Sequence, residues 1–179
     1  MKKFNLQLFA DDTAVKKAVD GKQIVYLFRV LGDKDAATAM AFTTENESSM
    51  SNEGEVIQTK DGGISMPQIK TEISSTAILA VGDTLADKLK AAMTEGKKVE
   101  VWEANLAESI GENTNQFKGR YFQSYLNEFT LTSSSEDHAE YECSFEASDA
   151  GVPGNVTVTA AQQEVATYIF TDTTAKTGA

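Results

Sequence analysis

His138-Ala139-Glu140-Tyr141-Glu142-Cys143-Ser144-Phe145-Glu146-Ala147 alternates strictly along its length. Every odd position is apolar or aromatic, and every even position is polar. Successive side chains of a strand point to opposite faces, so the stretch predicts a strand with one face in a core and the other in water. The wet face carries Glu140, Glu142 and Glu146 with no lysine or arginine between them. Neighbours two apart on one face lie only about 7 Å from each other, so these carboxylates repel. A face of mixed charge folds more easily. An acidic one suits a surface that must not stick to another polyanion.

Outward from this strand, the turn-punctuated pattern continues. Residues 98–105, 117–131, 155–160 and 167–171 read as strands, and 117–148 reads as a long hairpin. Upstream, 22–31 (K-Q-I-V-Y-L-F-R-V-L) is apolar on both faces, as in a strand covered on both sides. Residues 68–80 form another strand region. One helix is expected at about 83–95: Asp83 is the N-cap, Leu85, Leu89 and Ala92 or Met93 form the apolar stripe, and Gly96 stops it. The fold expected is mainly β, a sandwich or barrel-like domain with one flanking helix.

Residues 32–63 break the pattern and predict a long loop. Their centre, T-T-E-N-E-S-S-M-S-N-E-G-E, buries too little apolar surface to offset the entropy of ordering. Two readings follow: a floppy surface excursion, or an arm that orders against a partner. In the second, Glu45, Glu47, Met50, Glu53, Glu55, Lys60 and Asp61 form an inter-subunit loop. Residues 45–62 are then mobile in the monomer, and deleting 46–53 leaves a folded chain that fails to polymerise.

The chain has 179 residues, 41% hydrophobic, and a formal net charge of -11. One domain over 1–179 is expected, with an N-terminal arm at 1–20 and a flexible tail at 172–179. The acidic balance argues against nucleic-acid binding and against anionic membranes. The single cysteine, Cys143, excludes an internal disulfide and reads as a small buried hydrophobe. The apolar stretch after Met1-Lys2-Lys3 is too short and too polar for a signal peptide. The protein is therefore expected to stay in the cytoplasm until assembled.

No catalytic constellation emerges. His138 is the one histidine, so neither a zinc cluster nor a paired nucleophile is available, and no cofactor is expected. Val81-Gly82-Asp83 puts an acid where a phosphate loop would need none. Asp33, Asp35, Glu45 and Glu47 supply oxygen ligands without a calcium-loop pattern. Trp102 reads as core packing rather than as a sugar-binding platform.

An ordered set of segments resembles the major tail protein (tail-tube protein) family of long-tailed bacteriophages of Gram-positive bacteria. It runs through Gly21-Lys22, Tyr26-Leu27-Phe28-Arg29, Thr59-Lys60-Asp61-Gly62 and Val99-Glu100-Val101-Trp102. It continues with Arg120-Tyr121-Phe122-Gln123-Ser124-Tyr125, Phe129, the acidic strand, Pro153-Gly154, Val156-Thr157-Val158-Thr159 and Tyr168-Ile169-Phe170. Ser124 stands where the family tends to carry glycine. The opening Phe4-Asn5-Leu6-Gln7-Leu8-Phe9-Ala10 is similar to the start of structural proteins of such phages.

The resemblance implies a structural virion protein. Hexameric rings would stack into the hollow tail tube through which DNA is ejected, assembled in the host cytoplasm. Implied partners are further copies of the chain, tail tip or initiator, tape-measure and tail terminator proteins, and double-stranded DNA in transient passage, with no membrane. The loop at 32–63 would reach neighbouring subunits. Glu140, Glu142 and Glu146 would line the lumen, unless their face points outward to solvent. The alternatives are a type VI secretion tube protein and a monomeric β-sandwich binding module.

Overall fold

The computed structural model describes residues 17–111 and 115–166. The strand expected at 167–171, the tail at 172–179 and most of the N-terminal arm lie outside the described residues.

The chain enters through a single 3-10 turn, Gly21–Gln23, capped by Asp20, and runs into β1 (Ile24–Val30). Next come β2 (Thr43–Asn52), β3 (Val56–Thr59), β4 (Gly62–Ser65) and β5 (Ile69–Ile78). The helix α1 (Thr84–Glu95) follows, then β6 (Lys98–Ser109), β7 (Gln116–Thr132), β8 (Glu140–Ala147), β9 (Val152–Thr157) and a short α2 (Ala160–Ala166). Seven strands make one antiparallel sheet ordered β1-β6-β7-β8-β5-β2, with β9 also on β7. β3 and β4 pair only with each other.

This sheet rolls over on itself. Phe28 of β1 stacks on Phe145 of β8 with ring centroids 5.1 Å apart. Three strand spacings separate these strands in the order, which in a flat sheet would be about 14 Å. The expected sandwich is thus built from a single sheet. Its concave side holds the main core, including Tyr26, Ile73, Val99, Val101, Phe122, Tyr141 and Phe145. α1 closes the roll with Leu85, Ala86, Leu89 and Ala92, while Met93 stays exposed. A second cluster, Leu27, Ala104, Phe117, Val156 and Val158, with Ala37 and Trp102 against it, sits on the other side of the β1-β6 half. Gln162 Nε2 ties α2 to the Ala37 carbonyl at 3.2 Å.

The helix ends are those the sequence predicts. Asp83 Oδ1 accepts from the backbone N–H groups of Leu85 (3.0 Å) and Ala86 (3.1 Å). Gly96 leaves the helix at φ 64°, the left-handed turn that a residue without Cβ adopts freely. Cys143 is fully buried, and burial pushes its thiol pKa up to about 12. Ser124 is also fully buried, and its hydroxyl donates to the Val99 carbonyl at 3.1 Å. The hydroxyl therefore costs little where the family tends to carry glycine.

The expected loop at 32–63 needs correction. Thr43–Asn52 is a strand laid antiparallel along β5, and Val56–Ser65 is a hairpin turning at Lys60-Asp61. β2 was hidden because almost all of it is exposed, so it shows no apolar alternation. What orders it is backbone pairing to an edge already held by the core.

Candidate functional site: an acidic sheet face and an apolar arm

β8 alternates as its sequence dictates. Tyr141, Cys143, Phe145 and Ala147 are buried, and Glu140, Glu142, Ser144 and Glu146 face the other way. Pairing extends this second face across four strands. One row reads Glu45 (β2), Thr76 (β5), Glu142 (β8), Thr130 (β7). The next reads Glu47, Ser74, Ser144, Glu128, and the third reads Ser49, Glu72, Glu146, Tyr125. Glu140 lies at the end nearest the start of β2, where it accepts from the Thr44 hydroxyl at 3.0 Å.

Glu45 and Glu47 were expected in an inter-subunit loop. Register instead brings them onto the face of Glu140, Glu142 and Glu146, and Glu72 and Glu128 join them. Sequence reading missed the last two because strand order, not chain order, makes them neighbours. Glu45, Glu47 and Asp33, Asp35 do not meet: both aspartates bind Lys88, at 3.2 and 2.8 Å.

The face is not uniformly unpaired. Lys70 reaches Glu72 at 2.9 Å and Glu146 at 3.2 Å, and Asn127, at a bulge in β7, donates to Glu146 at 2.8 Å. These hydrogen bonds raise the Lys70 pKa and hold its charge. Glu45, Glu47 and Glu142 are exposed and have no ion pair among the described residues. Compensation is thus concentrated at the β5 start, and the opposite end stays acidic.

Two strand edges beside this face lack a partner among the described residues. β2 pairs with β5 alone, so its outer edge is bare. β6 follows β7 only to Tyr125, so 126–132 have no strand partner on the side away from β8; α1 packs on β7, with Lys90 Nζ 4.8 Å from the Phe129 ring centroid. A bare edge is a template for another strand.

The third feature is the arm, 54–67. Glu53, Glu55, Lys60 and Asp61 fall on it or at its root, whereas Met50 belongs to β2. Val56, Ile57, Ile64 and Met66 are exposed (48–62%), and the two strands of the hairpin pair only with each other. Its root is fixed. Asn52 Oδ1 accepts from the N–H groups of Gly54 and Gln68, both at 3.0 Å, and Glu53 N–H donates to the Gln68 carbonyl at 2.8 Å. At Gly54 a Cβ would collide with the Met66 carbonyl oxygen, so this crossing admits only glycine.

Away from the acidic face, Arg29 binds Glu100 at 2.7 Å and lies 4.9 Å over the half-buried Trp102. The Tyr121 hydroxyl donates to Glu100 at 2.9 Å. Burial pushes the Glu100 carboxyl up, but these two hydrogen bonds outweigh it and hold the group below its usual range. Trp102 thus packs against its own sheet. Among the described residues no group of three His, Cys, Asp or Glu side chains could hold a metal ion, and no helix is long and apolar enough to cross a membrane.

A rolled sheet with one bare acidic face, two open edges and a projecting apolar arm defines a component of an assembly. Residues 18–152 match the family described as phage tail tube protein, and the chain belongs to that family. It is a structural protein of the phage tail. A putative tail protein of Staphylococcus phage phiMR25 is 32% identical over 121 residues, 66% of this chain and 62% of that protein. The match thus spans under two thirds of the relative's length. The fold is similar to that of the SPP1 tail tube (TM-score 0.67, 18% identity, 90% of this chain and 95% of the other). It is also similar to the tail of a gene transfer agent particle, described with C6 symmetry (TM-score 0.57, 13% identity, 79% and 100%).

Proposed function

We propose that six copies of this chain close into a ring, that rings stack into a hollow tube, and that the acidic face lines the bore through which double-stranded DNA leaves the virion. The single observation that carries this reading is the four-stranded unit β7-β8-β5-β2, whose acidic face lies between the unpaired outer edge of β2 and the 126–132 stretch of β7 that β6 does not reach. The β2 edge of one copy pairs with the 126–132 edge of the next. The two edges differ, so the contact is heterologous and repeats around a ring. Six copies is the number that fits the C6 symmetry of the similar gene transfer agent tail.

Chemistry favours the acidic face as the bore. A basic wall would hold DNA through its phosphates, whereas a carboxylate wall repels the polyanion and leaves it free to slide. The core-facing side of the same strands is already covered. A head-to-tail stack leaves one unmatched face at each end, so an initiator and a terminator are the partners it requires.

The test uses virions carrying Glu45→Lys, Glu47→Lys and Glu142→Lys together. These sites are exposed and make no ion pair, so tubes of normal shape are expected, with slowed genome ejection. Ejection at the unaltered rate from normal tubes would mean that this face does not meet DNA.

A further inference from the structure

β2 is the edge that the proposed ring offers to a neighbour, yet its own residues do not fix where it pairs. Thr43–Asn52 is polar on both faces, and such a strand slips easily along a partner. A slip of one residue turns Glu45 and Glu47 from the acidic face to the core side. A slip of two keeps the faces but shifts each copy by about 7 Å, or about 40 Å over six copies, and the ring opens into a helix. Closure therefore needs a device that sets the register between copies.

Two exposed apolar side chains stand on this polar edge. Phe42, at the entrance to β2, is 66% exposed and sits in the left-handed region at φ 49°, among the described residues the only non-glycine with positive φ. A bulky side chain in that region is strained. The turn is held on both sides: the Phe42 carbonyl accepts from Ile78 N–H at 3.2 Å, and the Thr43 hydroxyl donates to the Met40 carbonyl at 3.0 Å. Strain that turns an aromatic ring out to water marks a residue with a task outside the monomer. Met50, near the other end of β2, is 50% exposed. It lies opposite the buried Thr71, so it points to the core side of the sheet.

The receiving edge has two of its own. Leu131 lies opposite the buried Tyr141, again on the core side, and is 49% exposed. Met93 of α1 is 40% exposed. α1 runs beside this edge from end to end. Asp83 at its start accepts the Tyr141 hydroxyl, level with Leu131, and Gly96 at its end leads into Lys98, which lies opposite Tyr125. The 12 residues of α1 span about 18 Å, and 126–132 span about 20 Å. Directions agree as well. β2 runs opposite to β7 within one chain, and rotation about a ring axis preserves direction, so β2 meets the next copy's β7 antiparallel. One register then brings Phe42 to Leu131 and Met50 to Met93, with Met50 on the side where α1 lies.

We propose that Phe42 and Met50 lock the register of β2 on a second copy of this chain in the same ring, by docking on that copy's Leu131 and Met93. Backbone pairing holds the edges together, and the two apolar contacts, one at each end, select the single register in which the ring closes. This inference rests on the proposed ring and concerns its register alone.

The test is electron microscopy of tails from phage carrying Phe42→Gly with Met50→Ser. Closed six-fold rings should be lost and replaced by open helical ribbons or tubes of mixed diameter. The purified chain should keep its Tm, because Phe42→Gly removes strain. Met50→Leu with Phe42 intact should keep closed rings. A lowered Tm would mean that these side chains serve the monomer's fold, and unchanged six-fold rings would mean that they do not set the register; either result overturns the proposal. So does loss of all assembly, which would make them the adhesive and not the lock. Phe42→Cys with Leu131→Cys reads position: oxidised tails should give covalent oligomers that end at six, because Cys143 is buried and inert. Closed rings without that cross-link overturn the pairing. Unaltered tails without six-fold rings would instead remove the ring reading on which the proposal stands.

Discussion

Asp83 binds three groups at once. One carboxylate oxygen caps the first turn of α1, and the other accepts the Tyr141 hydroxyl at 3.1 Å. The helix start is thereby fastened to β8, the strand that bears the acidic face. Asp83→Ala should lower stability by about 1–2 kcal/mol, the range for a lost cap, measured by denaturant unfolding. Tyr141→Phe should cost less, since it removes one hydrogen bond and keeps the ring stacked on Phe129 at 5.5 Å.

Glu100 gives the fold a pH dependence. Its folded pKa lies below the ordinary carboxylate value of about 4.3. The stability it contributes is therefore complete above that value and disappears as pH falls through the lower, folded one. Glu100→Gln should flatten the acid limb of a stability-against-pH curve below about pH 4.3 and leave its shape near neutrality unchanged.

At the scale of elements, legibility followed burial. β8 and α1 could be read because one face of each is in the core, and burial writes its period into the sequence. β2 could not: Thr43-Thr44-Glu45-Asn46-Glu47-Ser48-Ser49-Met50-Ser51-Asn52 is polar on both faces, and only its partner β5 makes it a strand. The Asp61-Gly62 turn signal, flanked by Val56-Ile57 and Ile64, could have announced the β3–β4 hairpin. α2 was signalled only by Thr159 and Gln162, whose reciprocal hydrogen bonds at 3.0 and 3.4 Å cap its start. The acidic face was half legible. Three carboxylates follow from one strand's alternation, but four more depend on strand order, which no local pattern encodes.

The arm's root makes an element-scale prediction. Because β2 contains most of 46–53, deleting that stretch removes an edge strand and no longer isolates the arm. Gly54→Ala is the cleaner probe. It should force the two arm strands apart at their crossing while the rolled sheet keeps its Tm, and tube yield by electron microscopy should fall.

For the whole molecule, the net charge of -11 sets the terms of association. Copies of one acidic chain repel when they meet, and salt screens that repulsion over about 10 Å at 0.1 M. Tube growth followed by light scattering should therefore quicken between low and moderate salt. If it slows instead, attraction between opposite charges dominates the contacts, and the exposed apolar side chains are not the main adhesive.

Strand order also carries a consequence for synthesis. β5 takes β2 on one side early, yet its other neighbour, β8, begins about seventy residues after β5 starts. At ordinary elongation speeds of about 5–20 residues per second, that interval lasts roughly 4–14 seconds. The 126–132 edge emerges in the same late window, and the roll cannot close until Phe145 has arrived to meet Phe28. A chain still on the ribosome can thus offer its β2 edge before the 126–132 edge that would receive a neighbour's β2 has formed. Translation itself acts as a timer, releasing each copy as a competent building block only when it is whole.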